Sequence, residues 1–177
     1  MTALAHPSLG LYDSWAAAVA EFDGAHIDGA SIPDDEATDV SREACERLVE
    51  KTARARDTSV APEPDRVHAS AFWITSDDEV VGFIQLRHEL NEFLETIGGH
   101  VGYSVRPSAR REGHARRALG LVLGEARSLG LERVMITCDE DNAASARTIE
   151  SQGGVLQDVV DGSAYGYGPT RRYWITL

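Results

Sequence analysis

The sequence predicts a mixed α/β fold: a central, mostly antiparallel sheet with one parallel strand pair, flanked by helices. Apolar residues recur at helical spacing in two early segments, and apolar strands then follow one another between residues 67 and 105. An amphipathic helix next separates two strands, which a right-handed crossover makes parallel. The 177 residues contain no internal repeat or change of composition, so we expect a single domain over 1–177.

Composition excludes several functional classes. Apolar residues make up 42% and charged residues 26%, as in ordinary globular proteins. The net charge of −12 argues against a nucleic-acid partner, because neutralising phosphates needs excess positive charge. We find no secretory leader and no apolar run long enough to span a membrane. Cys45 and Cys138 are predicted to be packed, reduced thiols, which favours a cytoplasmic location.

The first third predicts two helices and an acidic connection. Tyr12–Phe22 forms the first helix and Ser41–Arg56 the second, each with apolar residues on one face. Between them the segment Asp23–Asp39, here called the acidic loop, carries six carboxylates and no arginine or lysine. Such a loop concentrates cations or simply forms a solvated surface.

The middle of the chain predicts an antiparallel meander. Strands are expected at Val67–Thr75, Val80–His88 and Ile97–Val105, with a turn over Ser76–Glu79. Pro107 ends the third strand because proline cannot donate to a strand ladder.

The last third predicts alternating helices and strands. A helix over Glu112–Ser128, a strand over Arg133–Cys138 and a helix over Asn142–Gln152 precede a closing hairpin. The hairpin pairs Val155–Val160 with Arg171–Leu177, and its second strand is one candidate edge for a homodimer.

Charge is concentrated in residues 105–117, here called the arginine-rich loop. It holds five arginines and one acid in a chain that is otherwise strongly negative. It leads into a helix, whose first amides lack intrahelical acceptors and carry partial positive charge. Gly113 lets a bulky anion approach the backbone, so a diphosphate is the natural ligand, although a solvated helix face would also account for the arginines. Neither a P-loop nor a dinucleotide-binding glycine motif is present.

The spacing Arg110-x-x-Gly113-x-Ala115 resembles the [QR]-x-x-G-x-[GA] signature of the GNAT family of N-acetyltransferases. The likeness spans about 67–177 and includes the strand before the signature, the strand after its helix and a later Asn-opened helix. Residues 1–66 would then form the acceptor side. The resemblance implies the GNAT-type acyl-CoA N-acyltransferase fold and acetyl-CoA as co-substrate.

The same resemblance assigns cofactor-binding residues. The backbone around Val105 would hold the pantetheine arm and polarise the thioester carbonyl. Asn142 and Ser145 would contact the pantetheine side, although Asn142 also suits a helix N-cap. Arg110 would support a pyrophosphate held by consecutive amides, those of Arg111, Glu112, Gly113, His114 and Ala115.

One departure from the family concerns the acid that protonates the leaving thiolate. Many members place a tyrosine seven residues after the asparagine, where this chain has Ile149. Tyr103, Ser145, Tyr165, Tyr167 or water remain as alternatives. An acid is not essential, because a thiol with a pKa of about 8.5 is a fair leaving group.

The general base is predicted among His88, Glu89 and His100 on the central strands. Together with Tyr103, Glu89 and His100 form the predicted catalytic set. The segment from His88 to Glu92 departs from H-E-x-x-H, so we expect no metal.

We therefore predict an N-acetyltransferase that moves the acetyl group of acetyl-CoA to a primary amine by direct attack in a ternary complex. The acidic loop favours a small cationic acceptor such as a polyamine or an aminoglycoside-like antibiotic, the latter implying resistance. The alternatives are a non-catalytic acyl-CoA sensor, a protein or peptide N-acetyltransferase, and an arginine-patch interaction module without cofactor.

Overall fold

The computed structural model describes every residue from Met1 to Leu177. Its sheet has seven strands in the order β1-β2-β3-β4-β5-β7-β6. The strands are β1 (Thr2–Ala5), β2 (Ala69–Ser76), β3 (Glu79–Arg87), β4 (Val101–Val105), β5 (Arg133–Asp139), β6 (Val155–Asp161) and β7 (Pro169–Thr176). The α-helices are α1 (Tyr12–Ala20), α2 (Arg42–Arg56), α3 (His114–Ser128) and α4 (Ala143–Glu150). The mixed α/β class and the mostly antiparallel sheet are confirmed.

The sheet buries both faces. Phe83 and its alternate neighbours pack with α1, α2 and the acidic loop, whereas Ile84 and its neighbours pack with α3 and α4. Because side chains alternate across a strand, consecutive residues of β3 serve two separate cores. The two early helices therefore lie on the face opposite α3. Both cysteines are free and buried, as predicted.

Most predicted elements are confirmed within two residues of their bounds, and local chemistry explains where they begin. Ser41 accepts a hydrogen bond from the Ala44 amide and caps α2, and Asn142 caps α4 in the same way. Asp77 and Asp78 both have positive φ, as a two-residue hairpin turn between β2 and β3 requires.

The predicted strand at Ile97–Val105 is wrong in its first half. Residues Leu94–Gly98 form a single π-helical turn, and β4 begins only at Val101. The Asn91 side chain caps the start of this turn by accepting from the Leu94 amide. Gly99, at φ +61°, redirects the chain, and a side chain there would meet the Met135 carbonyl at 2.8 Å.

The edges of the sheet differ from the prediction in two respects. The first strand, β1, was not predicted, because four residues paired only with β2 carry no periodic signal. The proposed edge strand at Arg171–Leu177 is wrong, since β7 lies between β5 and β6 and pairs with both. The exposed edges are β1 and β6.

The parallel pair is confirmed between β4 and β5, but it is short. The two strands pair only at Val101 and Ile136. Past this pair no ladder pairing joins the two strands, and the region between Tyr103 on β4 and Cys138 on β5 is here called the cleft. No helix in the molecule combines the length and apolar character needed to cross a bilayer.

Candidate active site

The loop before α3 presents a run of free backbone amides. No amide from Arg111 to Arg116 donates to a backbone carbonyl, and the first such bond is from Arg117 to Gly113. Arg111 has φ +69° and Gly113 φ +82°, and left-handed residues of this kind turn successive amides toward one point. A non-glycine residue in this conformation is strained, which is typical of a binding site. The loop fits a diphosphate.

Two arginine side chains reinforce this loop. The Arg110 Nε donates to the Val105 carbonyl at 3.1 Å and so ties the loop to the end of β4. Arg117 donates to the Glu112 carbonyl at 2.8 Å, and its guanidinium lies over Gly113. The sequence predicted only a partly solvated helix face for Arg117. The contact with the preceding turn could not be predicted, because only the fold brings the side chain back over that turn.

His114, by contrast, turns its side chain away from the loop surface. The ring is buried, with Nδ1 3.0 Å from the Thr2 hydroxyl and Nε2 3.3 Å from the Glu112 carboxylate. Its side chain therefore anchors β1 beneath α3. Only its backbone amide faces the anion position, together with those of its neighbours, including Ala115.

The cleft between β4 and β5 contains a hydroxyl pair. The Tyr103 hydroxyl lies 2.8 Å from the Ser145 Oγ, and the Cys138 thiol lies near Ser145. Burial raises the pKa of Tyr103 to about 12. The phenol is therefore protonated at neutral pH and is a hydrogen-bond donor. Burial also raises the pKa of Cys138, so that this residue stays a thiol.

Helix α4 holds Ser145 in place. The Asn142 Oδ1 accepts from the Ser145 amide at 3.0 Å, which is the N-cap arrangement. Ile149, one turn further on, is fully buried in the core beneath α4. Position 149 therefore faces the hydrophobic core.

His100 is placed unfavourably for the role of base. It is 5% exposed, and its Nδ1 accepts the Met135 amide at 3.0 Å. Burial lowers its pKa to about 4, against the effect of that hydrogen bond. In this arrangement Nδ1 has no free lone pair, and Nε2 carries the proton. This geometry favours a structural role for His100 and weighs against its predicted role as the base.

The other two candidates for the general base, His88 and Glu89, differ in whether their side chains already make hydrogen bonds. The His88 Nε2 is 2.9 Å from the Ser70 hydroxyl, and the ring stacks on His68. Burial lowers the pKa of His88. Glu89 is exposed just beyond β3 and makes no hydrogen bond, so its carboxylate is available. Neither residue contacts the hydroxyl pair.

The acidic loop packs directly on β4. A Cβ at Gly29 would stand 2.3 Å from the Gly102 carbonyl, so only glycine permits this approach. Several of its carboxylates are already paired. Asp34 and Asp28 bind the two nitrogens of His26, at 2.6 and 3.3 Å.

Arg47, on α2, binds two further carboxylates of the loop, those of Glu36 and Asp39. Pairing of four of its six acids weakens the case for a cation-concentrating loop.

Aromatic residues predicted near the site form a separate group. Tyr165 meets Phe93 edge to face at 5.3 Å, and Tyr167 lies 6.3 Å from the same ring. The side chains of all three residues are partly exposed to solvent. Neither tyrosine contacts Ser145, so the hydroxyl nearest the cleft is that of Tyr103. The structure contains no group of three His, Cys, Asp or Glu side chains in an arrangement that could hold a metal.

Comparison with known proteins identifies the class. A family model described as an acetyltransferase (GNAT) domain matches residues 17–155. The chain therefore belongs to the GNAT acetyltransferase family, whose members are acetyl-CoA-dependent N-acetyltransferases. No curated protein sequence matches the chain.

Solved structures show the same fold at low identity. RimL, a ribosomal-protein alpha-N-acetyltransferase in complex with coenzyme A, is 17% identical with a TM-score of 0.73, over 99% of this chain and 94% of that one. RimJ of Mycobacterium smegmatis, with a CoA disulfide, has the same identity and TM-score, over 99% and 82%. MccE, a microcin self-immunity acetyltransferase with acetyl-CoA and AMP, is 13% identical with a TM-score of 0.68, over 99% and 92%.

Proposed function

We propose that this protein transfers the acetyl group of acetyl-CoA to a primary amine by direct attack in a ternary complex. The observation that carries the proposal is the run of free amides from Arg111 to Arg116, which lies beside the cleft between β4 and β5. The free amides suit the diphosphate of acetyl-CoA, and the cleft suits its pantetheine arm. Because the two lie next to each other, one extended ligand can occupy both.

The binding residues follow from this placement. The amides from Arg111 to Ala115, Gly113 among them, would hold the pyrophosphate, and the positive charge of Arg117 adds to theirs. Arg110 would act by fixing the end of β4. Backbone groups near Val105, together with Asn142 and Ser145 on α4, would line the pantetheine arm.

Acetyl-CoA supplies an activated carbonyl and a thiolate leaving group. Tyr103 and Ser145 are proposed to donate hydrogen bonds to the developing thiolate. With a pKa raised to about 12, Tyr103 stabilises that charge as a donor without losing its proton. Full proton transfer is unnecessary, because a thiolate is stable enough to leave near neutral pH.

The acceptor ammonium must lose a proton before it attacks. We propose that Glu89 accepts it through water, since its carboxylate is exposed and unpaired. The acceptor is a primary amine on a small molecule or at a peptide end. Polyamines and aminoglycoside-like antibiotics remain candidates, while pairing within the acidic loop and the protein-directed neighbours make a peptide end equally reasonable.

The test is a two-stage measurement. Calorimetry should first show saturable acetyl-CoA binding, and thiol release should then be followed with spermidine, kanamycin-type aminoglycosides and short peptides. Turnover with any amine supports the proposal. Binding without turnover on any of them would favour the sensor, and absence of binding would favour a cofactor-free interaction module.

A further inference from the structure

Arg87, at the end of β3, is a partly buried cation without a carboxylate partner. It makes none of the ion pairs in the structure. Its Nη1 donates to the carbonyls of Gly98 and Gly99, at 2.9 and 3.1 Å. A guanidinium has five N–H donors. These two bonds use the donors of Nη1 and leave those of Nη2 and Nε unpaired.

The guanidinium lies beside Gly102 on β4. Its Nη2 and Nη1 lie 3.8 and 3.9 Å from the point where a Cβ of Gly102 would stand, and the Gly29 amide nitrogen lies 3.4 Å from the same point. The Gly29 amide donates to no backbone carbonyl. Gly102 is partly exposed and has no side chain, so the space beside it, here called the recess, is bordered by two kinds of N–H donor.

Resting on the function proposed above, we infer that Arg87 binds a carboxylate of the acceptor, and that the acceptor is an amine carrying such a group near its nitrogen. Free donors on a partly buried guanidinium are the arrangement that recognises a carboxylate, which a guanidinium binds in a bidentate manner. The recess adjoins β4, where the acetyl group is to be delivered.

A neighbouring carboxylate completes the recognition of such an acceptor. Asp28 directly precedes Gly29, whose amide borders the recess, and its carboxylate also lies 3.3 Å from the His26 Nε2. It attracts the ammonium end while Arg87 holds the carboxylate. A purely cationic amine gains nothing from Arg87 and is repelled by it.

The experiment compares amines that differ only in one carboxylate, by the rate of thiol release from acetyl-CoA. One pair is alanine and alaninamide, and the other is the dipeptide amides Ser-Asp and Ser-Asn. The first pair tests a free amino acid and the second an acidic peptide end. In the wild type, kcat/KM should be about tenfold or more higher for the charged member of at least one pair.

Arg87→Gln should abolish that preference by raising KM for the charged amine, while kcat for the neutral amine changes little. Arg87→Lys should retain part of the preference. Arg127→Gln, which removes an exposed arginine on α3, is the matched control and should keep all of it. Thermal unfolding and acetyl-CoA calorimetry establish that each variant is folded and binds its carrier.

The possible results test the inference about Arg87 separately from the proposed function. If the wild type acetylates amines with no preference for a carboxylate, or prefers spermidine, the inference about Arg87 is wrong and the proposed function stands. A fall in kcat that is equal for both members of a pair would assign Arg87 to the acetyl carbonyl and also overturn it. Failure of turnover with every amine would overturn both. Because the wild-type comparison needs no variant, a misfolded Arg87→Gln does not prevent the decision.

Discussion

The hydroxyl of Tyr103 lies 2.8 Å from that of Ser145, and this contact joins β4 to α4 across the cleft. The two hydroxyls can donate in series to a sulfur that occupies the cleft. We propose that these two hydroxyls do the work of the tyrosine that the family resemblance leads one to expect at position 149, where this chain has isoleucine.

Tyr103→Phe and Ser145→Ala should each lower kcat by roughly three- to tenfold, as expected for loss of one hydrogen bond. Acetyl-CoA affinity should change less, because the diphosphate is held elsewhere. Steady-state kinetics and calorimetry measure the two effects. The double variant should cost less than the product of the single effects, since the hydroxyls act as a unit. Equal loss of kcat and affinity would instead indicate a structural contact.

Ile149→Tyr should not restore a missing acid. The side chain is fully buried in the core, so a larger polar ring overpacks it and should destabilise the fold by about 1–3 kcal/mol. Urea unfolding measures the loss, and thiol release measures the rate. A rise in kcat at unchanged stability would show that position 149 reaches the cleft.

Gly113→Asp should reduce acetyl-CoA affinity by about a hundredfold or more, because it places a carboxylate against the diphosphate. Gly130→Asp is the matched control. Gly130 has φ +83°, against +82° for Gly113, and nothing lies within 4 Å of its Cβ position. The backbone strain is therefore shared, and the two sites differ in location and in the Arg117 guanidinium, which lies 3.4 Å from the Cβ position of Gly113. Calorimetry giving similar affinities for the two variants would contradict the assigned site.

His100 should make stability fall in mild acid. Its pKa of about 4 lies below the 6.5 of a free histidine, so the unfolded chain binds the proton first. The resulting stability is present above pH 6.5 and is lost as pH falls toward 4. The loss should approach about 3 kcal/mol. Urea unfolding of wild type and His100→Gln across this range measures it, and the variant should show a shallower slope.

Glu89→Gln should lower kcat/KM by about a hundredfold, because it removes the carboxylate proposed to accept the proton. His100→Gln should lower it far less, since the His100 Nδ1 is occupied by the Met135 amide. Steady-state kinetics measure both effects. An unchanged kcat/KM in Glu89→Gln would show that the amine reaches the site already deprotonated or uses another base.

Sequence reasoning pointed to an anion site in the arginine-rich loop because its signal is local. A glycine at a helix start and nearby arginines are legible without the fold. The left-handed Arg111 was not predicted, since only the folded loop forces a non-glycine residue into that conformation. The environment of His100 was not predicted for the same reason, because its partner, the Met135 amide, comes from another strand.

No pattern in the sequence pointed to Arg87. Its side chain donates hydrogen bonds to the carbonyls of Gly98 and Gly99, at the end of a π-helical turn that the sequence predicted to be the start of a strand. Elements with strong apolar periodicity, such as α3, were predicted well, whereas β1 depends on pairing with residues far along the chain.

The insertion of β7 between β5 and β6 constrains the order of assembly. Strand β6 reaches the sheet only through β7, so Val155–Asp161 joins the sheet no earlier than Pro169–Thr176. Three apolar side chains of β6 are solvent-exposed even in the finished molecule: those of Val155, Leu156 and Val159. Together with the unpaired outer edge of β6, they form a surface open to association with another chain.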